Sequence, residues 1–341
     1  MSLLPFADGQ GSRLDAEAAK ILDDFLPAQI FDAHMHMYPV QSDAVPVPGS
    51  VQETFPFCDR TTYWAHMQQL IGPARKISMN IIPFPFPAMK DLQNGQMDTA
   101  HRFVLEQVPP DGISCCEILV LPDDTTEAIE NRLTSPNIRG LKCYHVFASR
   151  AHTWDCRIGE YLPEAAWEVA NRRNLCITLH MVRDLALYDE ENLRYIQTMS
   201  RRYPDARLIL AHAARGFAAW TAVESVEHLV SCDNVWFDFS AVCESPALFQ
   251  ILKKIGPGRC LWGSDYPVSA LCGKAISLAD RFYWIYRQDL ERFSAQMPDL
   301  HAWLIGTENL MAVRQACIMA DIRADQVEDL FFRNARRLFS R

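Results

Sequence analysis

His34 and His36, in the stretch Phe31-Asp32-Ala33-His34-Met35-His36, place two imidazoles one residue apart at the end of an apolar run. Side chains alternate faces along a strand, so both rings project the same way, about 6–7 Å apart along the backbone, close enough to grip one cation. Two more apolar, β-prone runs close on histidine, Leu175-Cys176-Ile177-Thr178-Leu179-His180 and Arg207-Leu208-Ile209-Leu210-Ala211-His212, and Cys260-Leu261-Trp262-Gly263-Ser264-Asp265 closes on a carboxylate. Neutral imidazoles and a carboxylate are ordinary ligands of a divalent ion. His34, His36 and His180 are read as nitrogen ligands and Asp265 as the oxygen ligand of one such ion, zinc first and manganese second. A bound ion of this kind lowers the pKa of water toward neutrality and polarises a carbonyl, and Asp265 is also suited to take the proton from that water.

The remaining polar residues near these run ends extend the site. His212 is either a further ligand or, as the favoured reading, an unligated acid or base beside the metal. Lys142, in Gly140-Leu141-Lys142-Cys143-Tyr144, pairs with an acidic group in the commoner reading. In the rarer one it carries a carboxylate made from carbon dioxide and bridges two metals. Arg183 and Arg215, three residues past His180 and His212, suit a bidentate clamp on a substrate carboxylate. Tyr144 is read as a substrate contact, with His145 and Trp262 as further candidate pocket liners.

The elements that must position these residues are strands. Eight candidates occur in order, at residues 29–34, 76–82, 114–121, 139–147, 175–181, 207–212, 235–241 and 260–264. Most are nearly continuous apolar runs, as strands covered on both faces are. Segments with helical spacing separate most of them, among them residues 161–172, 190–203 and 246–255. Eight such cycles predict an α/β fold, a (β/α)8 TIM barrel rather than a doubly wound sheet, with its chemistry at the carboxyl rim of the strands. Residues 14–25 predict an extra N-terminal helix, 275–297 one long or two short helices, and 324–339 a terminal helix with Arg333, Arg336 and Arg337 near its end. The long loop 39–61 and the proline-rich loop after Ile82 are expected on the active rim.

At 341 residues with 49% hydrophobic content, the chain is long enough to bury one large core, and a single domain over residues 1–341 is expected. A net charge of −9 without a Lys/Arg cluster argues against nucleic acid as a partner. No apolar run approaches membrane-spanning length, and the first residues lack the basic-then-apolar order of a signal peptide. The expected partner is a small-molecule substrate, neither nucleic acid nor membrane, in the cytoplasm; a homo-oligomer is compatible with the sequence. Eleven cysteines without a C-x-x-C pair suit reduced thiols, most of them small core residues.

With these residues in view, the chain resembles the amidohydrolase superfamily, in its amidohydrolase-related (family 2) branch. The likeness runs from Phe31-Asp32-Ala33-His34-Met35-His36 through Gly140-Leu141-Lys142, Thr178-Leu179-His180, Leu210-Ala211-His212 and Trp262-Gly263-Ser264-Asp265-Tyr266-Pro267 to Phe332-Arg333-Asn334-Ala335-Arg336-Arg337-Leu338-Phe339. The resemblance implies that His34, His36, His180 and Asp265 bind metal and that His212 is the catalytic histidine. It also implies one of several reactions: hydrolysis of lactones or amides, hydration, or nonoxidative decarboxylation of aromatic or dienoic carboxylates. The full His-Met-His pair tilts the reading toward hydrolysis of a small carboxylate-bearing lactone, amide or ester, with decarboxylation or hydration as the alternative. Ala213 stands where many relatives carry glycine.

Overall fold

The computed structural model describes residues 13–39, 54–293, 295–298, 300 and 302–340. Its eight main strands form one sheet in strict chain order: β1 Gln29–Met37, β2 Lys76–Pro83, β3 Cys115–Val120, β4 Ile138–Cys143, β5 Cys176–Leu179, β6 Arg207–Leu210, β7 Val235–Asp238 and β8 Cys260–Leu261. Every neighbouring pair is parallel. The ring is brought nearly to closure by backbone bonds between β1 and the segment around β8: Ala33 N–H to Trp262 O at 3.0 Å, Asp265 N–H to His34 O at 2.7 Å, and His36 N–H to Tyr266 O at 2.7 Å. This close approach needs Gly263, because a Cβ there would lie 2.7 Å from the Cβ of His34. The expected (β/α)8 barrel is what the chain forms.

Helices Arg60–Ile71, Gln96–Gln107, Thr126–Arg132, Glu164–Arg173, Glu190–Arg202, Ala219–Ser225 and Ser245–Lys254 follow β1 to β7, and Ile305–Met319 follows β8. Their boundaries have local causes. Asp189, for example, caps Glu190–Arg202 by accepting from the N–H groups of Glu191 and Asn192, while Arg201 and Arg202 sit in its last turn, where the helix dipole favours cations. The expected N-terminal helix is present as Arg13–Phe25. No described helix is long and apolar enough to cross a membrane.

The amino end of the barrel is closed by apolar packing. Phe31, Ala33, Cys115, Cys176, Ile209, Trp236 and Leu261 share a buried cluster with Phe332, Ala335, Leu338 and Phe339 of the C-terminal helical segment, and the Phe31 and Phe339 rings stack at 5.6 Å. That segment is one helical run with a π turn at Asp329–Arg333, whose Leu330 carbonyl accepts the N–H of Trp262 at 3.1 Å. All eleven cysteines are buried thiols outside any disulfide, as the sequence suggests.

The helix expected over residues 275–297 is not there. Gly273–Leu278 (β9) and Arg281–Tyr286 (β10) form an antiparallel hairpin, followed by the short helix Arg287–Leu290 and a 3-10 turn at Glu291–Phe293. The run Phe282-Tyr283-Trp284-Ile285-Tyr286 is aromatic and β-branched, a composition that favours strands. Phe282 and Trp284 are half-buried against Phe217 while Tyr283 faces out, a period of two rather than 3.6. Ala279, in left-handed conformation at φ 54°, makes the turn without glycine, which hid the hairpin's usual signal.

Candidate active site

The residues singled out in the sequence meet at the carboxyl end of the strands. His34 donates from Nδ1 to Asp238 Oδ2 at 2.9 Å, and its Nε2 faces Asp265 Oδ1 at 3.7 Å. His36 donates from Nδ1 to the Ile82 carbonyl at 3.2 Å, and its Nε2 faces the same Asp265 oxygen at 3.4 Å. Each ring therefore has its proton fixed on Nδ1 by an acceptor behind it, leaving the Nε2 lone pair turned inward. Burial, reinforced by the Lys142 charge, lowers the His34 pKa to about 3. Burial likewise depresses His36 against the opposing pull of Asp265. Both rings are neutral.

Two lone pairs and a carboxylate oxygen thus converge, all of them acceptors. Among the described residues, the donors on these lone pairs are Lys142 Nζ, 3.3 Å from His34 Nε2, and the Tyr144 hydroxyl, 3.4 Å from His36 Nε2. This donor set fits a divalent cation. Ligand atoms at about 2.1 Å from a tetrahedral ion lie roughly 3.4 Å apart, close to the spacings seen. The residues whose ligand atoms all lie within 4.8 Å of one another are His34, His212 and Asp265; His36 and His180, expected as ligands from the sequence, fall outside that group.

His212 comes from the turn after β6. Its N–H donates to Asp238 Oδ1 at 3.2 Å, its Nδ1 lies 3.0 Å from Ser240 Oγ and 4.0 Å from Asp265 Oδ2, and its ring stacks on Phe217 at 5.4 Å. The backbone here is left-handed through His212, Ala213, Ala214 and Arg215, with φ 55, 53, 58 and 60°. Left-handed backbone costs roughly 1–2 kcal/mol per L-residue. Such strain survives where the surroundings over-determine it, commonly at ligand-binding positions. His180, on the exit from β5, stands at the edge of the group, with its ring 5.1 Å from His212 and 6.0 Å from Tyr144. Burial and the surrounding positive charges keep it well below an ordinary histidine pKa.

Asp265, at φ 55°, is tethered through its N–H to the carbonyl of His34. Burial alone would raise its pKa, but the His212, His36 and His34 rings hold it below the usual carboxylate value. Lys142 is fully buried, with its ammonium 4.8 Å from the centre of the Tyr144 ring. Burial depresses its pKa while Glu117 and Asp238 oppose the shift. Arg183 donates to Asp189 at 2.9 Å and to Glu191 at 2.8 Å. Arg215 lies between the Trp154 and Phe282 rings. His145 sits near the rim, 4.4 Å from Trp154, and Phe84 of the proline-rich loop touches His36 at 5.4 Å. Trp262 does not line the pocket: its Nε1–H donates to Asn309 at 3.1 Å and its ring lies against Phe331, outside the barrel. Residues 40–53 of the long loop expected on the rim lie outside the described residues.

Sequence reading passed over the polar groups beneath the rim. Asp238 on β7 bonds His34, His212 and Ser240 at once. Glu117 on β3 accepts from Asn80 at 2.8 Å and Thr178 at 2.7 Å, and its Oε2 is buried without a hydrogen-bond partner among the described residues. Gly140 makes room for it, since a Cβ there would lie 2.9 Å from three Glu117 side-chain atoms. The signal was an acid inside an apolar strand run, as in Cys115-Cys116-Glu117-Ile118-Leu119-Val120 and Val235-Trp236-Phe237-Asp238.

Burial lifts the Glu117 pKa from 4.5 to about 7, against the pull of Lys142. A folded-state pKa above the unfolded one means the native state holds this proton more tightly. The resulting stability is full below about pH 4.5 and is lost as pH rises through about 7. We expect Glu117→Gln to lose most relative to wild type near pH 5 and least near pH 8, a difference on the order of 3 kcal/mol. Urea unfolding of both proteins across that range checks this, and a pH-independent gap between them would contradict it.

A family model for amidohydrolases matches residues 31–341. No curated protein matches the chain in sequence. Among solved structures, an amidohydrolase from Burkholderia multivorans with bound zinc superposes with TM-score 0.57 at 12% identity, covering 92% of this chain and 99% of that one. The 5-carboxyvanillate decarboxylase of Sphingomonas paucimobilis gives 0.54 at 13% identity, covering 92% and 99%. A probable 2-pyrone-4,6-dicarboxylic acid hydrolase from Acinetobacter baumannii, with citric acid bound, gives 0.51 at 12% identity, covering 91% and 98%. At these identities the structural likeness speaks for the fold alone.

Proposed function

This chain belongs to the amidohydrolase family, whose members are hydrolases or decarboxylases, and on that premise we propose that it is a metal-dependent hydrolase of a small carboxylate-bearing lactone, amide or ester. The observation that carries the reading is the convergence of the His34 and His36 lone pairs on Asp265 Oδ1, with His212 beside the other oxygen of Asp265. His34, His36 and Asp265 would hold the ion, with His180, at the exit of β5, as the further ligand expected from the sequence. A bound divalent ion supplies Lewis acidity for the substrate carbonyl and acidifies water. Asp265 Oδ2 takes the proton of the attacking water, and His212 gives a proton to the departing oxygen or nitrogen. Phe217 beside His212 and Phe84 beside His36 give the group apolar neighbours, which strengthen its electrostatics.

Elemental analysis of the purified protein is expected to give about one divalent ion per chain, zinc first and manganese second. No metal above trace after growth with supplement contradicts the reading, and about two ions per chain would turn Lys142 into a bridging group. Turnover of a panel of lactones, amides and aromatic carboxylates in heavy-oxygen water is expected to place label in a product carboxylate. Carbon dioxide release without label would instead make this chain a decarboxylase.

A further inference from the structure

At the amino end of the barrel, β3 and β4 begin beside a cavity of about 520 Å³. β3 spans six residues, so roughly 20 Å of strand separates this cavity from the rim. Its walls carry two cations, Arg139 at the start of β4 and Arg336 of the C-terminal helical segment, and no aspartate or glutamate. The chain as a whole has a net charge of −9, so this excess of positive charge is local. A cleft lined by one sign of charge concentrates the opposite ion.

Among the described residues Arg336 makes no hydrogen bond or ion pair; the Phe332 ring lies against it, at 5.9 Å. Its neighbours on the same segment are committed, Arg333 to Asp329 and Glu328, and Arg337 to the carbonyl of Gly258 at 3.0 Å. Asp111, the acid that precedes one wall of the cavity in sequence, is turned to its own loop. It accepts from the N–H groups of Ile113 and Ser114 and from the hydroxyls of Ser114 and Ser78. Ile113, Pro136 and Phe339 supply apolar surface to the same cavity.

We infer that this cavity binds a small organic phosphate, a monoester whose phosphate meets Arg139 and Arg336 and whose body lies against Ile113, Pro136 and Phe339. A phosphate monoester brings nearly two negative charges and three acceptor oxygens, enough for two guanidinium forks at once; a carboxylate brings one charge and two oxygens. A cavity of this volume has room for the body as well as the phosphate. The site lies at the opposite end of the barrel from the candidate metal group and does not rest on that reading.

Calorimetric titration of the full chain with phenyl phosphate, inorganic phosphate and benzoate tests the assignment. Chelation removes any phosphate held by an ion at the rim, so the titrations are run on the chelated protein and repeated with metal loaded. One phenyl phosphate per chain is expected in the chelated protein, bound about fivefold or more tighter than inorganic phosphate or benzoate, and weaker as salt rises. The affinity of this site should be the same with metal loaded. Arg336→Gln should weaken phenyl phosphate about tenfold or more, with Arg336→Lys recovering part of the loss. Arg336 is exposed and remote from the rim, so thermal unfolding and turnover should not change. Arg139→Gln should weaken binding in the same way, and the Arg336 variants decide the matter if it fails to fold. No binding to wild type, binding that requires metal, equal affinity for benzoate, or undiminished affinity in Arg336→Gln overturns the proposal. Binding that appears only when Arg341 is deleted also overturns it, since the residue following Ser340 of the cavity wall would then be the occupant.

Discussion

Asp265→Asn gives a folded protein whose turnover falls by about three orders of magnitude or more. Asn matches Asp in size, and the tether from the N–H of residue 265 to the His34 carbonyl is backbone, so the rim keeps its shape. What disappears is the charge that faces His34 and His36 through Oδ1 and the proton acceptor near His212 through Oδ2. Some stability is lost near neutral pH, because the surrounding rings favour the ionised carboxylate in the fold, as the depressed pKa of Asp265 records. Steady-state kinetics with any substrate the labelled-water panel identifies, alongside thermal unfolding, checks both halves. A variant with normal melting and near-wild-type turnover would remove Asp265 from the mechanism.

The rim was legible in the sequence because its chemistry is local to strand ends. His34, His36, His180, His212 and Asp265 each close an apolar run, and a parallel barrel sends all such ends to one face. Arg183 and Arg215 look equivalent in sequence, each three residues past a histidine. The fold separates them, since Asp189 and Glu191 neutralise one while two aromatic faces hold the other. The partner acids sit on a neighbouring helix, and Phe282 comes from a hairpin some 67 residues downstream, so no local pattern encodes the difference. The hairpin itself was misread because its turn uses Ala279 in place of glycine. Asp238 and Glu117 went unnoticed for a related reason: each lies on the barrel's inner face, and its importance comes from strands distant in sequence.

Asp238 carries the second large effect, through the proton on His34. Burial alone would raise its pKa, yet His34, His212 and Ser240 together hold it ionised. An ionised acceptor 2.9 Å from Nδ1 keeps the His34 proton there and the Nε2 lone pair free. In Asp238→Asn, the amide oxygen still accepts from the N–H groups of His212 and Ser240, which turns the amide nitrogen toward His34 Nδ1. Two N–H groups cannot face each other, so His34 moves its proton to Nε2 and donates to Asp265 Oδ1, now 3.7 Å away. The lone pair that the site needs for a cation is used up by a hydrogen bond inside the protein. Metal affinity should therefore fall about 10- to 100-fold, with activity falling in parallel at limiting metal and recovering in part at excess, while the metal-free protein also loses stability near neutral pH, because the depressed pKa of Asp238 means that the fold favours its ionised form. Competition against a fluorescent chelator measures the affinity, and urea unfolding of the chelated proteins measures the stability. Unchanged metal affinity would show that Asp238 does not set the His34 tautomer, and unchanged metal-free stability near neutral pH would show that the fold does not favour its ionised form.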